Sequence, residues 1–210
     1  MENHFYANGK LLFTSEFMIL HGAKALAVPL KKGQSLTLRP KETEDCLRWE
    51  ARYGPVTWFE TTLKLPGLSI INTMSQARSE TLVFMLQKLL EIHPGFKKEL
   101  EENDVVTELE FDPAFGFGSS STLTSLMAQW AEIDPMQLHF RISKGSGYDV
   151  ACAGSETALL YQVINEMPVS EPVDFNPPFA DQMWLVYLGH KQDSAQSVAA
   201  FLERYKPDQA

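Results

Sequence analysis

The sequence predicts a fold that mixes β-strands with α-helices, and three patterns carry this prediction. Residues 5–39 hold short apolar runs separated by turn residues, which is typical of strands. Apolar and polar side chains alternate on both sides of Gly54-Pro55, which predicts a hairpin over residues 46–65. Residues 75–93 instead repeat leucines at helical spacing and end at Pro94-Gly95, which predicts a helix.

The elements before the glycine-containing stretch 144–153 follow the same rules. The N-terminal runs predict four separate strands, over 11–13, 17–20, 25–28 and 34–39. Later, Val105, Thr107, Leu109 and Phe111 alternate with Val106 and three acidic residues, so we expect a strand with one buried face. Helical spacing then predicts a helix to about Ile133 and a short helical piece after Asp134-Pro135.

The last third of the chain predicts a change of domain. Residues 158–163 indicate a strand, and the proline-rich stretch 166–182 indicates a linker or long loop. Residues 184–188 predict a buried strand, and residues 194–205 predict a helix. We therefore expect three parts: a domain over 1–165, a linker over 166–182, and the beginning of a second domain over 183–210. One strand and one helix make a poor domain, so we expect this second domain to be incomplete in the sequence.

Composition excludes several classes of protein. With 210 residues, 44% hydrophobic and 21% charged, the chain suits one large domain or two small ones. Its two cysteines, Cys46 and Cys152, form no disulfide framework or metal-ligand spacing, and we expect both to be small buried hydrophobes. No secretory leader and no uncharged apolar stretch of about 18 residues is visible, so we expect a cytoplasmic protein that does not enter membranes.

The net charge of −9 argues against a nucleic-acid partner, because the Lys and Arg residues are scattered and form no basic face. It does not argue against a bound nucleotide. Salt screens exposed charges beyond about 8 Å, so a phosphate responds to its local loop. The sequence leaves the oligomeric state open, with a homodimer as one alternative.

The stretch 112–122 concentrates two glycines and three serines between a predicted strand and a predicted helix. The first amides of a helix lack intrahelical acceptors and carry partial positive charge, so an anion is favoured there. The stretch lacks the lysine of a Walker loop, and Ser121 stands where a dinucleotide-binding loop has its third glycine. The alternative is a glycine-containing turn that only caps the helix.

A second glycine-containing element spans residues 144–153 and places Asp149 directly after Gly147-Tyr148. Asp149 is a candidate for chemistry, and the alternative is that it only caps a helix beginning at Val150. Two further residues have similar alternatives. Glu16 lies between two apolar runs and could be a solvated turn residue, and Lys10 could be an ordinary surface lysine.

Three blocks, in this order, resemble those of the GHMP kinases, the family of galactokinase, homoserine kinase, mevalonate kinase and phosphomevalonate kinase. Residues 7–16, ANGKLLFTSE, resemble the N-terminal P-G-K-x-x-L-x-G-E block. Residues 115–121, FGFGSSS, resemble the phosphate loop G-L-G-S-S. Residues 145–151, GSGYDVA, resemble the S-G-x-D block and in particular the bacterial GYDIA-type members. Residues 188–194 also resemble the turn that opens the family's second domain.

The resemblance implies an α+β fold, with an N-terminal domain of the ribosomal-protein type and the start of a ferredoxin-like second domain. It implies an ATP- and magnesium-dependent kinase acting on a small-molecule alcohol or phosphorylated alcohol, perhaps one like mevalonate. Asp149 would be the base and Lys10 would assist it. The ATP phosphates would be bound by Gly116, Phe117, Gly118, Ser119, Ser120 and Ser121, with the Ser120 hydroxyl on Mg²⁺. Glu16, Ser146, Gly147 and Ser194 are candidates for substrate binding.

The sequence departs from the family pattern at several points. Ser15 stands where the family has a glycine, so the turn before Glu16 lacks that residue's easy access to positive φ. The acidic metal ligand that mevalonate kinases carry about ten residues before the Asp has no counterpart, leaving Glu132 and Asp134 as the nearest carboxylates. The third glycine-rich block has no counterpart up to Ala210. These departures favour an alternative function, a nucleotide- or metabolite-binding protein of this fold without turnover.

Overall fold

The computed structural model describes residues 3–41, 43–189 and 194–205, and within residues 194–205 it describes the side chains from Gln196 onward. In these ranges eight strands form one mixed sheet. The strands are β1 (His4–Leu12), β2 (Ala25–Pro40), β3 (Cys46–Tyr53), β4 (Val56–Lys64), β5 (Ser69–Thr73), β6 (Asn103–Leu109), β7 (Ala158–Ile164) and β8 (Met167–Val173). The helices are α1 (Gln76–Ile92), α2 (Lys97–Glu102), α3 (Ser119–Trp130), α4 (Pro135–Ile142), α5 (Tyr148–Ala153) and α6 (Ser194–Arg204). The prediction of an α+β fold is confirmed.

The sheet is organised around the long strand β2. The strand order is β5-β4-β3-β6-β2-β7-β8, and β1 pairs with β2 outside this sequence of neighbours. Strand β6 pairs with residues 34–40 of β2, β7 pairs with residues 25–27, and β1 pairs along most of the strand. The β3–β6 pair is parallel and the other pairs are antiparallel. Strand β2 therefore joins the two halves of the sheet.

One face of the sheet is covered by helices. Along β3, Leu47, Trp49 and Ala51 are buried, while the charged residues between them are not. This alternation follows from the strand period of two. The buried face shares its core with α1 and α3, which contribute Leu82, Met85, Leu86, Leu89, Leu126, Met127 and Trp130. The packing holds α3, and with it the loop that precedes α3, against β1.

Several element predictions are confirmed and several are wrong. The hairpin is β3–β4, the leucine-rich helix is α1, and Val105, Thr107, Leu109 and Phe111 are buried as expected. Residues 17–20 form no strand, because Met18–His21 is a 3₁₀ turn. The runs 25–28 and 34–39 belong to the single strand β2, since Gly33 pairs with Asn8 of β1 where a turn was expected at Lys32-Gly33.

The C-terminal predictions change most. The stretch 166–182 is not entirely a linker, because its residues 167–173 form β8 and pair with β7. Residues 184–188 form no strand and are exposed, with Trp184 at 87% and Val186 at 78%, because no strand in the described ranges pairs with them. The predicted helix is confirmed as α6. Residues 190–193, most of the turn that resembles the opening of a second domain, lie outside the described residues, and the domain boundaries stay a prediction.

The expectation that both cysteines are buried is confirmed for Cys152 and wrong for Cys46, which is only half-buried. Burial raises the pKa of the Cys152 thiol to about 12. Among the described residues, none of the helices combines the length and the apolar character that crossing a bilayer requires.

We predict that Leu86→Ala destabilises the protein by about 2–5 kcal/mol, because it leaves a cavity between α1 and the sheet that the packed core cannot fill. Leu86 has no exposed surface. Urea denaturation measures the change. The control is Gln87→Ala on the exposed side of the same helix, which we expect to stay within about 0.5 kcal/mol. Equal effects of the two substitutions would contradict the assigned core.

Candidate active site

The loop before α3 turns sharply into the helix. Gly116 and Gly118 have φ of 76° and 90°, a region that costs an L-residue energy and glycine none. The chain can therefore reverse and point the first amides of α3 outward. The amide of Thr122 bonds to the carbonyl of Gly118 at 2.9 Å, and the amides of Ser119, Ser120 and Ser121 have no backbone acceptor in the described ranges. These three amides and the positive end of α3 are available to an anion.

The hydroxyl groups of this loop have different roles. Ser121 is buried and donates to the carbonyl of Gly118 at 2.8 Å, so its side chain closes the first turn of the helix. Thr122 is also buried and donates to the side chain of Gln34. The Ser120 side chain is exposed at the cavity described below and has no hydrogen bond within the described part of the chain. Of these three residues, Ser120 is therefore the one that can bind a ligand through its hydroxyl.

Lys10 lies directly against this loop, at a bulge in the β1–β2 ladder whose extra residues belong to β2. The pairing of β1 with β2 shifts between Asn8 and Lys10. The Lys10 amide donates to the carbonyl of Phe117 at 2.9 Å. The Lys10 side chain then crosses Gly118, where an added Cβ would lie 3.0 Å from the Lys10 Cγ. Bulges commonly re-aim a side chain beside a functional site, and this one brings a cation to the N-terminus of α3.

The Lys10 ammonium donates to the Tyr148 hydroxyl, with 3.0 Å between Nζ and Oη. Burial lowers the pKa of Lys10, but the Tyr148 hydrogen bond and the charges of Asp149 and Glu16 outweigh it, and the net shift is upward. Burial raises the pKa of Tyr148 against the opposing effect of Lys10. Tyr148 is therefore a neutral phenol at pH 7, and Lys10, whose pKa is raised, carries its positive charge there.

Asp149 lies in the first turn of α5 and is half-buried. Its Oδ1 accepts a hydrogen bond from the amide of Val150 at 3.0 Å. The alternative in which Asp149 caps a helix beginning at Val150 is wrong about the start, because α5 begins at Tyr148 and Gly147, with φ of 84°, is the capping residue. The carboxylate therefore keeps its second oxygen for other contacts.

The segment before Asp149 is held from two sides. The ring of His139 on α4 contacts the carbonyl of Gly145 at 3.1 Å, and the Tyr161 hydroxyl on β7 donates to the carbonyl of Ser146. A Cβ added at Gly147 would lie 3.2 Å from the Tyr161 hydroxyl and 2.3 Å from Met136 Cε, so the packing there leaves room only for glycine. These contacts fix the position of Asp149 relative to the sheet.

A cavity of about 1030 Å³ connects the two glycine-containing elements. Of the site residues predicted from sequence, those that line it are Lys10, Glu16, Gly116, Gly118, Ser119, Ser120, Ser121, Ser146 and Asp149. Phe117 and Gly147 lie outside the lining. Phe117 instead provides the carbonyl for Lys10 and packs on Phe111, and Gly147 begins α5. Ser194 begins α6, but its side chain lies outside the described residues.

No protein-family model and no curated protein sequence matches the chain. Solved structures do match. The match to L. major mevalonate kinase in complex with R-mevalonate covers 83% of this chain and 53% of the mevalonate kinase chain, with a TM-score of 0.56 and 17% sequence identity. The match to Lactococcus lactis galactokinase complexed with galactose covers 83% of this chain and 48% of the galactokinase chain, with a TM-score of 0.59 and 13% sequence identity. The match to Streptococcus pneumoniae phosphomevalonate kinase in complex with phosphomevalonate and AMPPNP covers 76% of this chain and 49% of the phosphomevalonate kinase chain, with a TM-score of 0.56 and 17% sequence identity.

The chain has a GHMP kinase-like fold. It spans about half the length of these matched structures. At this level of identity the comparisons show the fold alone, so the chemistry of the site depends on the residues that the fold brings together.

Within the GHMP kinase-like fold, sequence reasoning missed four features of the site. Tyr148 follows Gly147 directly, and its place beside Asp149 was a usable signal. His139 and Lys144 line the cavity, but nothing in their local sequence sets them apart. Helix α6 closes one side through Ser197, Val198, Ala199 and Leu202. The sequence did not indicate this contribution of α6, because it depends on tertiary contacts between residues far apart in the chain.

A magnesium ion at this site would need a nucleotide to supply most of its ligands. Mg²⁺ uses one or two protein oxygens together with substrate phosphates and water. Ser120, Glu16 and Asp149 are the oxygen-bearing candidates on the cavity wall. In the parts of the chain that the structure describes, no cluster of three acidic, His or Cys side chains could hold a metal without a nucleotide. Asp134 is used elsewhere, because it accepts the Met136 amide at the start of α4.

We predict that Gly118→Ala disturbs the site more than Gly116→Ala. Both positions have positive φ, so an alanine at either costs on the order of 1–3 kcal/mol of backbone strain. Only at Gly118 would the new Cβ meet other atoms, 2.5 Å from the Ser121 Oγ and 3.0 Å from the Lys10 Cγ, whereas nothing lies within 4 Å at Gly116.

Urea denaturation and amide NMR shifts measure the two effects. The expected result is a larger loss of stability at Gly118, with shift changes that extend to Lys10 and Ser121. Equal stability losses, with shift changes confined to the loop in both variants, would contradict the close packing of Lys10 on Gly118.

Proposed function

We propose that the chain is an ATP-dependent small-molecule kinase that transfers the γ-phosphoryl group to an alcohol or a phosphorylated alcohol, in the manner of a mevalonate kinase. One observation carries this proposal. The bulge in the β1–β2 ladder, the N-terminus of α3 and the first turn of α5 bring Lys10, three free amides and Asp149 to the wall of one cavity. Phosphoryl transfer requires phosphate binding, positive charge and a base for the acceptor, and these groups can supply all three.

The phosphate chain of ATP would bind at the N-terminus of α3. The free amides of Ser119, Ser120 and Ser121 are donors, and the aligned peptide dipoles of the 12-residue helix favour negative charge at this end. Lys10 adds a full charge close to Gly118. This arrangement replaces the lysine of a Walker loop with a lysine from a strand. The AMPPNP named for the matched phosphomevalonate kinase supports ATP as the donor.

Ser120 would hold Mg²⁺ through its exposed hydroxyl, and Glu16 or Asp149 is the candidate for a second ligand. The ion would neutralise charge on the β- and γ-phosphate oxygens. The protein's own contribution is to orient these oxygens along the first turn of α3.

Asp149 would accept the proton of the acceptor hydroxyl. The hydroxyl oxygen then forms a bond to the γ-phosphorus of ATP, the bond from that phosphorus to the β–γ bridging oxygen breaks, and ADP leaves. The products are ADP and a phosphate monoester, and the proton rests on the Asp149 carboxyl group. Lys10 would stabilise the charge that develops on the transferred group, because a fixed cation in a half-buried site needs little reorganisation.

Part of the cavity wall is suited to the carbon skeleton of an acceptor. Leu12, Phe17, Ile19 and Leu20 line it from the β1 end, and Val198 and Leu202 line it from α6. Tyr148 packs on the same apolar cluster and also bonds to Lys10, so the apolar wall adjoins the reactive groups. A short aliphatic alcohol would bury its carbon atoms here and present its hydroxyl to Asp149.

The second candidate is a nucleotide- or metabolite-binding protein of this fold without turnover. The observation that favours it is that, among the described residues, only two carboxylates line the cavity wall, those of Glu16 and Asp149. A site of this kind could bind a nucleotide through the amides of α3 and leave the transfer step unsupported.

We predict that Asp149→Asn lowers kcat by about 10²–10⁴-fold, because it removes the base, while ATP binding persists. A coupled assay over a panel of small alcohols measures transfer, and calorimetry measures ATP affinity. The control is Asp45→Asn, the same chemical change at an exposed turn away from the cavity, which should leave both values unchanged.

The outcomes separate the candidates. Full activity in Asp149→Asn would remove Asp149 from the mechanism. A wild-type protein that binds ATP and phosphorylates no alcohol in the panel would favour the second candidate. Absence of ATP binding would contradict the kinase and the nucleotide-binding form of the second candidate.

A further inference from the structure

We propose that Tyr148 is a positioning residue that holds the Lys10 ammonium at the phosphate-binding loop and off the Asp149 carboxylate. The inference rests on the proposed kinase function for its kinetic consequences. Its structural basis is independent of that function, because it depends on one contact and on the way each partner is held.

In the part of the chain that the structure describes, the hydrogen bond to Tyr148 is the one side-chain hydrogen bond that the Lys10 ammonium makes. The Lys10 ammonium carries three N–H donors. One of them bonds to the Tyr148 hydroxyl at 3.0 Å, and Nζ lies 5.4 Å from the centre of the Tyr148 ring. Within the described ranges Lys10 makes no other side-chain hydrogen bond and no ion pair within 4.0 Å. Two N–H donors therefore remain for a ligand in the cavity.

Tyr148 is well suited to hold a flexible lysine. Its ring packs between two small apolar clusters that contain Ile19, Ala25, Ala27 and Leu159. Its backbone is fixed in the first turn of α5. A lysine loses side-chain entropy when it is immobilised, so a rigid partner that is always present lowers the cost of ordering it when a nucleotide binds.

The chemistry of the partner matters as much as its position. A carboxylate at this place would form an ion pair with Lys10, which would neutralise the cation and occupy the carboxylate. The Tyr148 phenol is neutral, because burial raises its pKa. It therefore fixes the position of Lys10 without cancelling its charge. The Asp149 carboxylate, one residue further along α5, keeps an oxygen free for the acceptor hydroxyl.

The first test is Tyr148→Phe, which removes the hydroxyl and keeps the ring and its packing. Because the lost hydrogen bond is to a charged group, we expect kcat to fall about tenfold and the KM for ATP to change less. The control is Tyr6→Phe on the same strand as Lys10, which also removes a hydroxyl bonded to a charged partner but does not line the cavity. We expect its kinetic constants to match the wild type.

A double-mutant cycle separates positioning from direct contact with the substrate. In a Lys10→Met background the Tyr148→Phe substitution should have no further effect on kcat, because Tyr148 acts through Lys10. An undiminished tenfold effect in that background would overturn the proposal. It would indicate that the hydroxyl contacts the ligand itself.

The second test needs no turnover. The full chain is treated with an amine-reactive ester and then digested, and mass spectrometry of its peptides gives the rate at which Lys10 is acylated. This rate reports how firmly the ammonium is held. Loss of the hydroxyl removes a bond that favours the ammonium form, so Tyr148→Phe should acylate Lys10 about tenfold faster than wild type or Tyr6→Phe.

Equal acylation rates in the three proteins would overturn the positioning role. If the wild type transfers no phosphoryl group, the proposed function fails by itself, and the acylation rates alone decide whether Tyr148 holds Lys10.

Discussion

The hydrogen bond between the Lys10 amide and the Phe117 carbonyl joins the N-terminal strand to the loop before α3, and the site depends on this junction. The bond lies at the bulge in the β1–β2 ladder, between Asn8 and Lys10, where the regular pairing of the two strands is interrupted. With it, a cation from one end of the sheet reaches a helix N-terminus that lies more than a hundred residues further along the chain. Without it, the loop would be a turn that caps a helix.

Close packing around two glycines fixes the positions of Lys10 and Asp149. The Lys10 side chain can cross Gly118 because no Cβ stands there, and the segment before Asp149 can be pinned between α4 and β7 because Gly147 has none. Ser15 shows the opposite solution. It adopts a φ of 63° without being glycine, and its hydroxyl donates to the Lys24 carbonyl at 2.8 Å, which offsets part of the strain beside Glu16.

The sequence allowed the sheet-and-helix character, the hairpin, α1 and the two glycine-containing elements to be predicted, because local periodicity and turn residues determine them. It did not allow β2 to be recognised as one strand, because Gly33 has the local character of a turn while its pairing with Asn8 of β1 extends the ladder through it. Tyr148 was missed as the partner of Lys10 for a related reason. Its contact joins residues 138 positions apart, and no local pattern encodes such a contact. The exposed run 184–188 has the composition of a buried strand, but burial requires a neighbour that composition does not supply.

The central claim is that the amides at the N-terminus of α3 and the Lys10 ammonium together form a phosphate site next to Asp149. The most direct measurement is a crystal structure of the protein with a non-hydrolysable ATP analogue and Mg²⁺. The account predicts phosphate oxygens within hydrogen-bond distance of the amides of Ser119, Ser120 and Ser121, with Lys10 Nζ beside them and the γ-phosphate facing Asp149. Phosphates bound elsewhere in the protein, or a nucleotide at α3 whose γ-phosphate points away from Lys10 and Asp149, would contradict it.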